Sequence, residues 1–352
     1  MAKRHLYLQW DSTDVCNLRC SHCYHVVEGN SDHLQEKDLM SLEEVVSMID
    51  DLKNTSDRWD MIPDMAISGG EPLKRKDLFE ILDYAAKRSV NIRLLTNGTL
   101  ITPEVARNLK AHKVKRVQIS IDGKRDLHNE IRGMPFAYDK AIEGVSNSSH
   151  AGVPVNVAMT LMQSNKGDFE NVIRAAIRFG ADRVGFKSYV PDSELGDGDP
   201  NYMGPRDFCD MVSKTMALKV KYSGQIQILT SDVLFRIIEK ENSMIGRAKA
   251  EGKFLCGCSA GYRALSVLSD GTVYPCRRLP IEVGHISQGI KSIILENAVM
   301  KNLRDMEQMK KNASCDDVVH CRGCRAVAYA VTGDYMHKDP MCFKDLLGRE
   351  DE

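Results

Sequence analysis

Three cysteines near the start of the chain are the residues best suited to do chemistry. Cys16, Cys20 and Cys23 lie within "CNLRCSHCY", where they are spaced C-x3-C-x2-C and followed by Tyr24. They come directly after "HLYLQW", an alternating apolar run that predicts a β-strand. Thiolates are soft ligands that suit zinc or iron–sulfur clusters. The stretch therefore predicts a metal centre on the loop after the first strand.

Two kinds of metal centre fit this trio. Structural zinc takes four protein ligands, commonly as two C-x2-C pairs, so His22 and His25 would have to complete a zinc site. The alternative is a [4Fe–4S] cluster in which thiolates hold three irons and the fourth iron takes an exchangeable ligand. Because clusters that only transfer electrons usually have four cysteines, this alternative indicates chemistry at the open iron.

The composition limits the remaining possibilities. The 352 residues allow a main domain with a large core and a smaller second one. A net charge of −1 gives no reason to expect nucleic acid or an anionic membrane as a partner. No apolar run approaches the ~20 residues of a membrane span, and the N-terminus lacks the apolar region of a secretory signal. We therefore expect a cytoplasmic protein, in which eleven cysteines indicate metal or redox chemistry.

Strand and helix patterns alternate through the first two hundred residues. The strand patterns are "HLYLQW", "DMAIS", "NIRLLT", "KRVQISI", "PVNVAMTL" and "ADRVGFKSYV". Ser41 with Glu44 forms a capping-box pattern, and Thr102 before Pro103 marks a second helix start. Regular alternation predicts a parallel sheet with right-handed crossovers. A Gly-, Pro- and Asp-rich loop, a helix and a short strand, "IQILT", follow, and "KRKD" at 74–77 is interpreted as a solvated helix start.

The N-terminal motif resembles the signature of the radical S-adenosylmethionine (radical SAM) superfamily. The resemblance rests on C-x3-C-x2-C followed by an aromatic residue, on the loop after the first strand. It implies a partial (β/α)6 TIM-like barrel and a [4Fe–4S] cluster whose open iron binds SAM. It also implies reductive cleavage of SAM to a 5′-deoxyadenosyl radical that abstracts hydrogen, with an electron donor such as flavodoxin or ferredoxin. The cofactor carries this chemistry while the protein orients it.

Further motifs follow the predicted strands in the order that this superfamily has. These are "SGGEP", "LLTNGT", "SIDG" and "EIRG". In similar proteins the glycine-rich loop meets the SAM amino group, while a Ser and an Arg hold its carboxylate, for which Arg offers a bidentate fork. The resemblance therefore implies SAM-binding roles for Tyr24, Gly69, Gly70, Glu71, Pro72, Asn97, Ser120, Asp122 and Arg132.

Seven more cysteines occur in the last hundred residues. Their spacing resembles the SPASM extension of radical SAM enzymes, which carries two auxiliary [4Fe–4S] clusters. The resemblance implies one cluster on Cys258 (or Cys256), Cys276 and Cys324 and another on Cys315, Cys321 and Cys342. It divides the chain into a barrel over residues 1–199, a bridging segment over 200–253 and a small cysteine-rich domain over 254–352.

The cysteine spacing departs from that extension at two places. Asn312 stands where the family has a cysteine, and a C-x3-C pair is shortened to the C-x2-C of Cys321 and Cys324. Two clusters with four ligands each need one more ligand than the seven thiols. One iron is therefore open, an oxygen ligand such as Asp316 or Asp317 completes a set, or one cluster is absent. A zinc knuckle built from "CRGC" is the alternative without a cluster.

The motifs leave the substrate open, because fold and cofactor do not fix it. The leading hypothesis is a maturase that modifies a peptide or protein. One alternative is an enzyme acting on a small molecule, such as removal of a tetrapyrrole side chain in haem biosynthesis. Another is a zinc-binding protein without catalysis. The closing segment "CRGCRAVAYAVTGDYMHKDPMC" resembles both tetrapyrrole enzymes and peptide maturases, so it does not discriminate.

Three single positions bear on the substrate. The first cluster motif begins at Cys16, so we expect no winged-helix peptide-recognition domain ahead of it. Arg277 stands where sulfatase-maturing relatives place an aspartate, which argues against oxidation of a sulfatase. Cys209 lies outside every cluster pattern; it is either a catalytic hydrogen-atom donor or a buried helix cysteine.

Overall fold

The computed structural model describes residues 3–24, 39–230, 232–238, 257–315 and 318–347. Cys256 lies outside these ranges, and so do three alternative ligands considered above, His25, Asp316 and Asp317.

Ten strands form one sheet within the described ranges. They are β1 (His5–Asp11), β2 (Ile62–Ser68), β3 (Asn91–Thr96), β4 (Arg116–Ser120), β5 (Val155–Leu161), β6 (Arg183–Ser188), β7 (Gln227–Leu229), β8 (Ala264–Val267), β9 (Thr272–Tyr274) and β10 (Gly284–His285). Their order is β10-β9-β8-β1-β2-β3-β4-β5-β6-β7, and all neighbours from β8 through β7 pair in parallel. The predicted α/β fold with a parallel, unclosed sheet is confirmed.

Twelve α-helices accompany the sheet in the described part of the chain. They are α1 (Leu42–Arg58), α2 (Leu78–Lys87), α3 (Pro103–Ala111), α4 (Arg125–Arg132), α5 (Ala137–His150), α6 (Phe169–Arg178), α7 (Pro205–Lys221), α8 (Ile290–Glu296), α9 (Ala298–Asn302), α10 (Met306–Ala313), α11 (Val318–Cys321) and α12 (Arg325–Thr332). None of the described helices is long and apolar enough to cross a bilayer.

The sheet extends across the predicted segment boundaries. The short strand expected in the bridging segment forms β7 and pairs with β6. At the other edge, β8 comes from the cysteine-rich region and pairs with β1, so that Tyr7 lies beside Ala264. The N-terminal and C-terminal cysteine regions therefore meet on adjacent strands. The division at residues 199 and 253 stays a prediction.

Helix starts follow the predicted capping signals. The Glu44 amide donates to Ser41 Oγ at 3.3 Å while the Ser41 amide donates to Glu44 Oε2 at 2.7 Å, which is a capping box. Thr102 Oγ1 accepts from the Val105 amide at 3.2 Å. Helix α4 has no side-chain cap at its start, and the sequence analysis did not predict it.

The two faces of the sheet differ in polarity. In β1, Leu6, Leu8 and Trp10 are buried in the core that also includes α1 and α2, whereas Tyr7 and Gln9 alternate onto the opposite, inner face. The inner face carries paired polar groups. Gln9 donates to Ser68 Oγ at 3.0 Å, and, in β5 and β4, the side-chain amide of Asn156 donates to that of Gln118 at 2.9 Å. A closed TIM barrel is filled by branched apolar side chains, so this polar inner face differs from the packed interior of a closed barrel.

The capping box predicts the effect of one substitution on stability. Ser41→Ala removes the acceptor for the Glu44 amide and should lower the free energy of unfolding by about 1 kcal/mol. Urea unfolding followed by circular dichroism measures this. Ser213→Ala, on an exposed position of α7, is the control and should be neutral or slightly stabilising. Equal stability of Ser41→Ala and the parent protein would contradict the assigned cap.

Candidate radical cluster and auxiliary cluster sites

The loop that carries the first three cysteines is held on one side by the loop after β2. The Gly70 amide donates to Thr13 O at 2.6 Å, and the Glu71 amide donates to Val15 O at 2.9 Å. The two loops thus run side by side beyond the carboxyl ends of β1 and β2. Parallel α/β folds place their functional sites at this edge.

The last turn of α4 holds the other side of the cysteine loop. The Arg19 amide donates to Arg132 O at 3.3 Å, and the Ser21 amide donates to Ile131 O at 2.9 Å. Gly133 ends the helix with φ of 65°, and a Cβ there would lie 2.6 Å from Arg19 O. The close approach of the two segments therefore requires glycine at this position.

The three thiols of this loop are gathered in one place. Cys20 is buried, Cys23 is half-buried and Cys16 is exposed. Although the residue is accessible to solvent, the protein atoms around the Cys16 sulfur raise the pKa of its thiol, and together with Glu71, Cys20 and Cys23 they bring it to about 11. A bound metal displaces the protons of its thiol ligands. The loop thus presents three thiols together, as a shared metal centre requires.

A cluster accounts for three thiols without a fourth side-chain ligand, whereas structural zinc needs one. Within the described ranges, no three His, Cys, Asp or Glu side chains converge closely enough to hold a single metal ion. Zinc bonds sulfur at about 2.3 Å, so its ligand sulfurs lie within about 4 Å of one another. A [4Fe–4S] cluster bonds each cysteine to a different iron and takes thiols that are further apart. His22, the candidate zinc ligand, lies beside Asp122 and Arg132.

Gly69 and Gly70 are explained by the cysteine loop. Gly69 has φ of 122°, and a Cβ there would lie 2.3 Å from Thr13 O. A Cβ on Gly70 would lie 2.5 Å from Val15 O. The close approach expected from the sequence therefore exists, but its partner is the backbone that carries the cysteines. The contact of this loop with the SAM amino group stays a prediction.

Glu71, which follows β2, and Asn97, which follows β3, hold the same loop. The Glu71 carboxylate is fully buried and accepts from Thr96 Oγ1 at 2.7 Å and from the Asn97 amide at 3.0 Å. Burial raises the pKa of Glu71, and these hydrogen bonds oppose the rise. The Asn97 side chain donates to Asn17 Oδ1 at 2.9 Å and lies 3.9 Å from Cys16 Sγ. Pro72 is buried and begins a short 3-10 turn.

Arg132 is fixed by Asp122 and reaches a cluster cysteine. Its Nε and Nη2 donate to Asp122 Oδ2 at 2.7 and 2.5 Å, and its Nη1 lies 3.5 Å from Cys20 Sγ. Burial raises the pKa of Asp122, but Arg132, two histidines and a main-chain hydrogen bond together outweigh burial and hold that pKa below its usual value. Ser120 is half-buried at the end of β4. The SAM-carboxylate roles of Ser120 and Arg132 stay predictions.

Tyr24 links this loop to the C-terminal cysteine region. The guanidinium of Arg277 lies 4.2 Å from the centre of the Tyr24 ring and pairs with the carboxylate of Asp11. Asp11 Oδ1 in turn accepts from Ser68 Oγ at 2.6 Å. Both charged groups of the ion pair are buried, so the residue after Cys276 is anchored at the end of β1. This anchoring is the observed role of Arg277.

One set of auxiliary cysteines surrounds Arg278. Burial opposes the charge of this guanidinium, but Cys324, Cys276, Asp232 and Cys258 hold the pKa of Arg278 above its usual value. Its Nη1 also donates to the main-chain oxygen at the end of β6, 2.7 Å away. Cys258, Cys276 and Cys324 therefore lie around one cation, and the family resemblance assigned these three to the first auxiliary cluster.

The second set of auxiliary cysteines lines a small, partly open cavity. Cys315, Cys321 and Cys342 all border it. Burial raises the pKa of the Cys321 thiol to about 12, and Cys342 and Cys315 add to the rise. Lys344 Nζ donates to Cys315 Sγ at 3.4 Å. These residues were grouped from the resemblance, and the structure places them together; their roles as iron ligands stay predictions.

Cys209 lies apart from these sets. It is on α7, the crossover helix between β6 and β7, where it is half-buried and packs against the hydrophobic core. That position suits the buried helix cysteine of the sequence analysis. Its role as a hydrogen-atom donor stays a prediction.

The comparison with known proteins identifies the family. A model of the radical SAM superfamily matches residues 10–176, and a model of SPASM, an iron–sulfur cluster-binding domain, matches residues 256–325. The AdoMet-dependent heme synthase of Methanosarcina barkeri is 31% identical over 349 residues, which cover 95% of both chains. The chain is a radical SAM enzyme with a C-terminal SPASM domain. Its cofactors are therefore SAM, a radical SAM [4Fe–4S] cluster and auxiliary iron–sulfur clusters.

Other similar proteins agree with this assignment. Mycofactocin maturase MftC of Mycolicibacterium smegmatis is 27% identical over 351 residues, covering 95% of this chain and 82% of that protein. The solved structure of native anSMEcpe with bound AdoMet has a TM-score of 0.73 at 21% identity, and it covers 97% of this radical SAM enzyme and 94% of that chain. The latter likeness bears on the fold. Membership in an enzyme family leaves the non-catalytic zinc protein without support.

One interpretation from the sequence is wrong. "KRKD" is not simply a solvated helix start, because Arg75 is buried. Its Nη1 donates to Ser12 O and its Nη2 to Met40 O, each at 2.8 Å, and it pairs with Asp77 at 2.6 Å. The guanidinium also lies 4.9 Å from the centre of the Trp10 ring. Arg75 thus fixes the start of the cysteine loop, using acceptors that no local pattern reveals.

The packing of the glycine loop predicts a selective loss of iron. In Gly70→Ala the added Cβ meets backbone atoms of the cysteine loop, so the loop must move, at a cost of about 1–3 kcal/mol. The variant should lose the iron of the radical cluster and SAM cleavage while keeping the auxiliary iron. Iron analysis and Mössbauer spectra after anaerobic reconstitution measure this. Gly204→Ala is the control, because a Cβ there meets no atom within 4 Å; a fully loaded Gly70→Ala would contradict the packing argument.

Proposed function

We propose that this enzyme oxidatively decarboxylates a side chain of a tetrapyrrole, which is the small-molecule alternative of the sequence analysis. One observation carries the carboxylate part of this proposal. Two cationic side chains, Lys187 and Arg278, lie close enough to Cys276 and Cys324, of the first set of auxiliary cysteines, that these thiols raise the pKa of both. A substrate carboxylate is the group that such a pair recognises, because charge-assisted hydrogen bonds to it are strong.

Strand β6 determines where Lys187 points. Its neighbour Phe186 contacts Phe169 and Phe208 on the helix side, with ring centres 5.0 and 6.4 Å apart. Since side chains alternate along a strand, Lys187 is on the inner face, at the carboxyl end. Burial among protein atoms lowers the pKa of Lys187, while Asp232 raises it and Arg278 lowers it further. The side chain is nevertheless solvent-accessible, as a group that binds a substrate must be.

In the proposed reaction, the cofactors would carry out the radical and electron-transfer chemistry, and side chains of the protein would bind the substrate. SAM bound at the first cysteine trio supplies the hydrogen-abstracting radical, and Cys258, Cys276 and Cys324 would hold the cluster that supplies an electron acceptor. For a propionate side chain, one hydrogen atom and one electron leave and the bond to the carboxylate breaks. The products are a vinyl group and carbon dioxide. Lys187 and Arg278 hold the carboxylate, and the polar inner face accepts the rest of the substrate.

The similar proteins support a tetrapyrrole as the substrate class. Three relatives named AdoMet-dependent heme synthase are 31, 26 and 25% identical to this chain, and each alignment covers 95% of it. A fourth, Fe-coproporphyrin III synthase of Methanosarcina barkeri, is 28% identical. Modification of a peptide, the leading hypothesis of the sequence analysis, is the second candidate, and the mycofactocin maturases favour it. An electron donor such as flavodoxin or ferredoxin belongs to both proposals.

A turnover assay separates the two candidates. The reconstituted enzyme is incubated anaerobically with SAM, a low-potential reductant and iron-coproporphyrin III, and products are analysed by mass spectrometry. We expect loss of carbon dioxide and two hydrogens from a propionate, with one 5′-deoxyadenosine formed per side chain changed. Unchanged porphyrin, together with SAM cleavage at the rate seen without substrate, would contradict a tetrapyrrole substrate and leave the peptide.

The carboxylate site predicts the effect of removing Lys187. Lys187→Ala removes one charge-assisted bond, worth about 1.5–3 kcal/mol, so kcat/KM for the porphyrin should fall about 10- to 100-fold, mainly through KM. Cleavage of SAM without substrate should not change. Lys214→Ala, on an exposed position of α7, is the control. A kcat/KM equal to that of the parent enzyme would exclude Lys187 from substrate binding.

A further inference from the structure

A carboxylate lines the same small cavity as the second set of auxiliary cysteines. Asp339 lines this cavity together with Cys315, Cys321 and Cys342. Its side chain is only 4% exposed. A buried carboxylate is costly unless it is paired, hydrogen-bonded or bound to a metal. Three thiols and one carboxylate are the number of ligands that a four-iron cluster takes.

Asp339 is held in position by the main chain. Its Oδ2 accepts from the Cys324 amide at 2.6 Å and its Oδ1 from the Met341 amide at 2.9 Å. Each carboxylate oxygen can accept a second partner, so these bonds orient the group and leave it able to coordinate iron. A residue that only caps a turn would make the same hydrogen bonds. An experiment must therefore distinguish an iron ligand from a turn cap.

Two neighbouring residues, Gly323 and Arg325, determine the position of Asp339. Gly323 has φ of 57°, and a Cβ there would lie 2.7 Å from Asp339 Cβ. The same Cβ would lie 2.6 Å from Arg325 Nη2, so a side chain at this position of "CRGC" would crowd both Asp339 and Arg325. Arg325 is fully buried and donates from Nη1 to Tyr335 O at 2.9 Å and to His337 O at 2.8 Å. It thereby fixes the segment that leads to Asp339.

Asn312, which stands at the position of the missing cysteine, does not reach this cavity. It lies near the end of α10 with its side chain exposed, and its Oδ1 accepts from Gln308 Nε2 at 2.7 Å. The lost thiol is therefore not replaced at its own position. Asp339, which lines the cavity, offers a carboxylate instead.

We propose that Asp339 is the fourth protein ligand of the second auxiliary cluster, beside Cys315, Cys321 and Cys342. Carboxylate oxygens ligate iron in other non-haem sites. This set closes the second cluster, so no iron of it is open to substrate. The inference rests on the auxiliary clusters of the SPASM domain and is independent of the tetrapyrrole proposal.

Two substitutions at one position separate a ligand from a turn cap. Asp339→Cys supplies a thiolate but no carbonyl oxygen, whereas Asp339→Asn keeps one oxygen acceptor but is a poor iron ligand. Both are made in the full chain with Cys16, Cys20 and Cys23 replaced by alanine, so that only auxiliary clusters contribute. Iron content, Mössbauer spectra and the electron paramagnetic resonance signal of the reduced protein are measured after anaerobic reconstitution. Asp345→Asn is the control, since Asp345 is exposed and pairs with Lys338 at 2.6 Å.

A ligand role predicts rescue by cysteine. Asp339→Cys should keep the iron of the parent, with altered g-values and a lower reduction potential, because a thiolate donates more electron density than a carboxylate. Asp339→Asn should lose one cluster's share of iron, and Asp345→Asn should match the parent. If Asp339 only caps the turn, Asn should hold iron at least as well as Cys, and the signal of the Cys variant should not change. Loss of iron in Asp316→Asn or Asp317→Asn, with Asp339→Asn fully loaded, would also overturn the proposal. None of these readouts depends on the substrate.

Discussion

The structure depends on main-chain contacts that hold the first cysteine loop from two sides. Gly70 meets Thr13 on one side, and Ser21 meets Ile131 on the other. A loop with three cysteines in eight residues has no regular structure of its own, so the ends of neighbouring strands and helix α4 must fix the spacing of its thiols. Metal ligands held by surrounding groups are better placed than ligands on a free loop.

Each cysteine set has an arginine beside it. Arg132 reaches Cys20, Arg278 lies among the first auxiliary set, and Arg325 lines the cavity of the second. Clusters with thiolate ligands are anionic, and burying an anion is unfavourable without a compensating charge. Hydrogen bonds and charge near the sulfurs also set the reduction potential. The three arginines therefore supply positive charge beside each set of thiols that is predicted to hold a cluster.

The sequence predicted the elements whose signals are local. Alternating apolar residues predict the six strands, and the capping-box pattern predicts the Ser41 cap. Cysteine spacing indicates the two cysteine regions, and the family resemblance assigns the C-terminal cysteines to two sets. Strand β8 is four residues long, and its partner β1 is more than two hundred residues away, so no local pattern reveals it. Arg75 lies in a charged run that predicts an exposed side chain, yet it is buried, because main-chain carbonyl groups distant in the sequence accept its hydrogen bonds. The sequence does not single out Asp339, because only the folded chain places its carboxylate in the cavity that the second set of cysteines lines.

The central claim is that three thiolates leave one iron open for SAM. Electron–nuclear double resonance of the reduced enzyme with SAM labelled at its amino nitrogen and carboxylate oxygen tests this directly. The account predicts hyperfine coupling from both labels to a cluster that disappears when Cys16, Cys20 and Cys23 are replaced by alanine. A reduced spectrum without coupling, and unchanged by SAM, would contradict it.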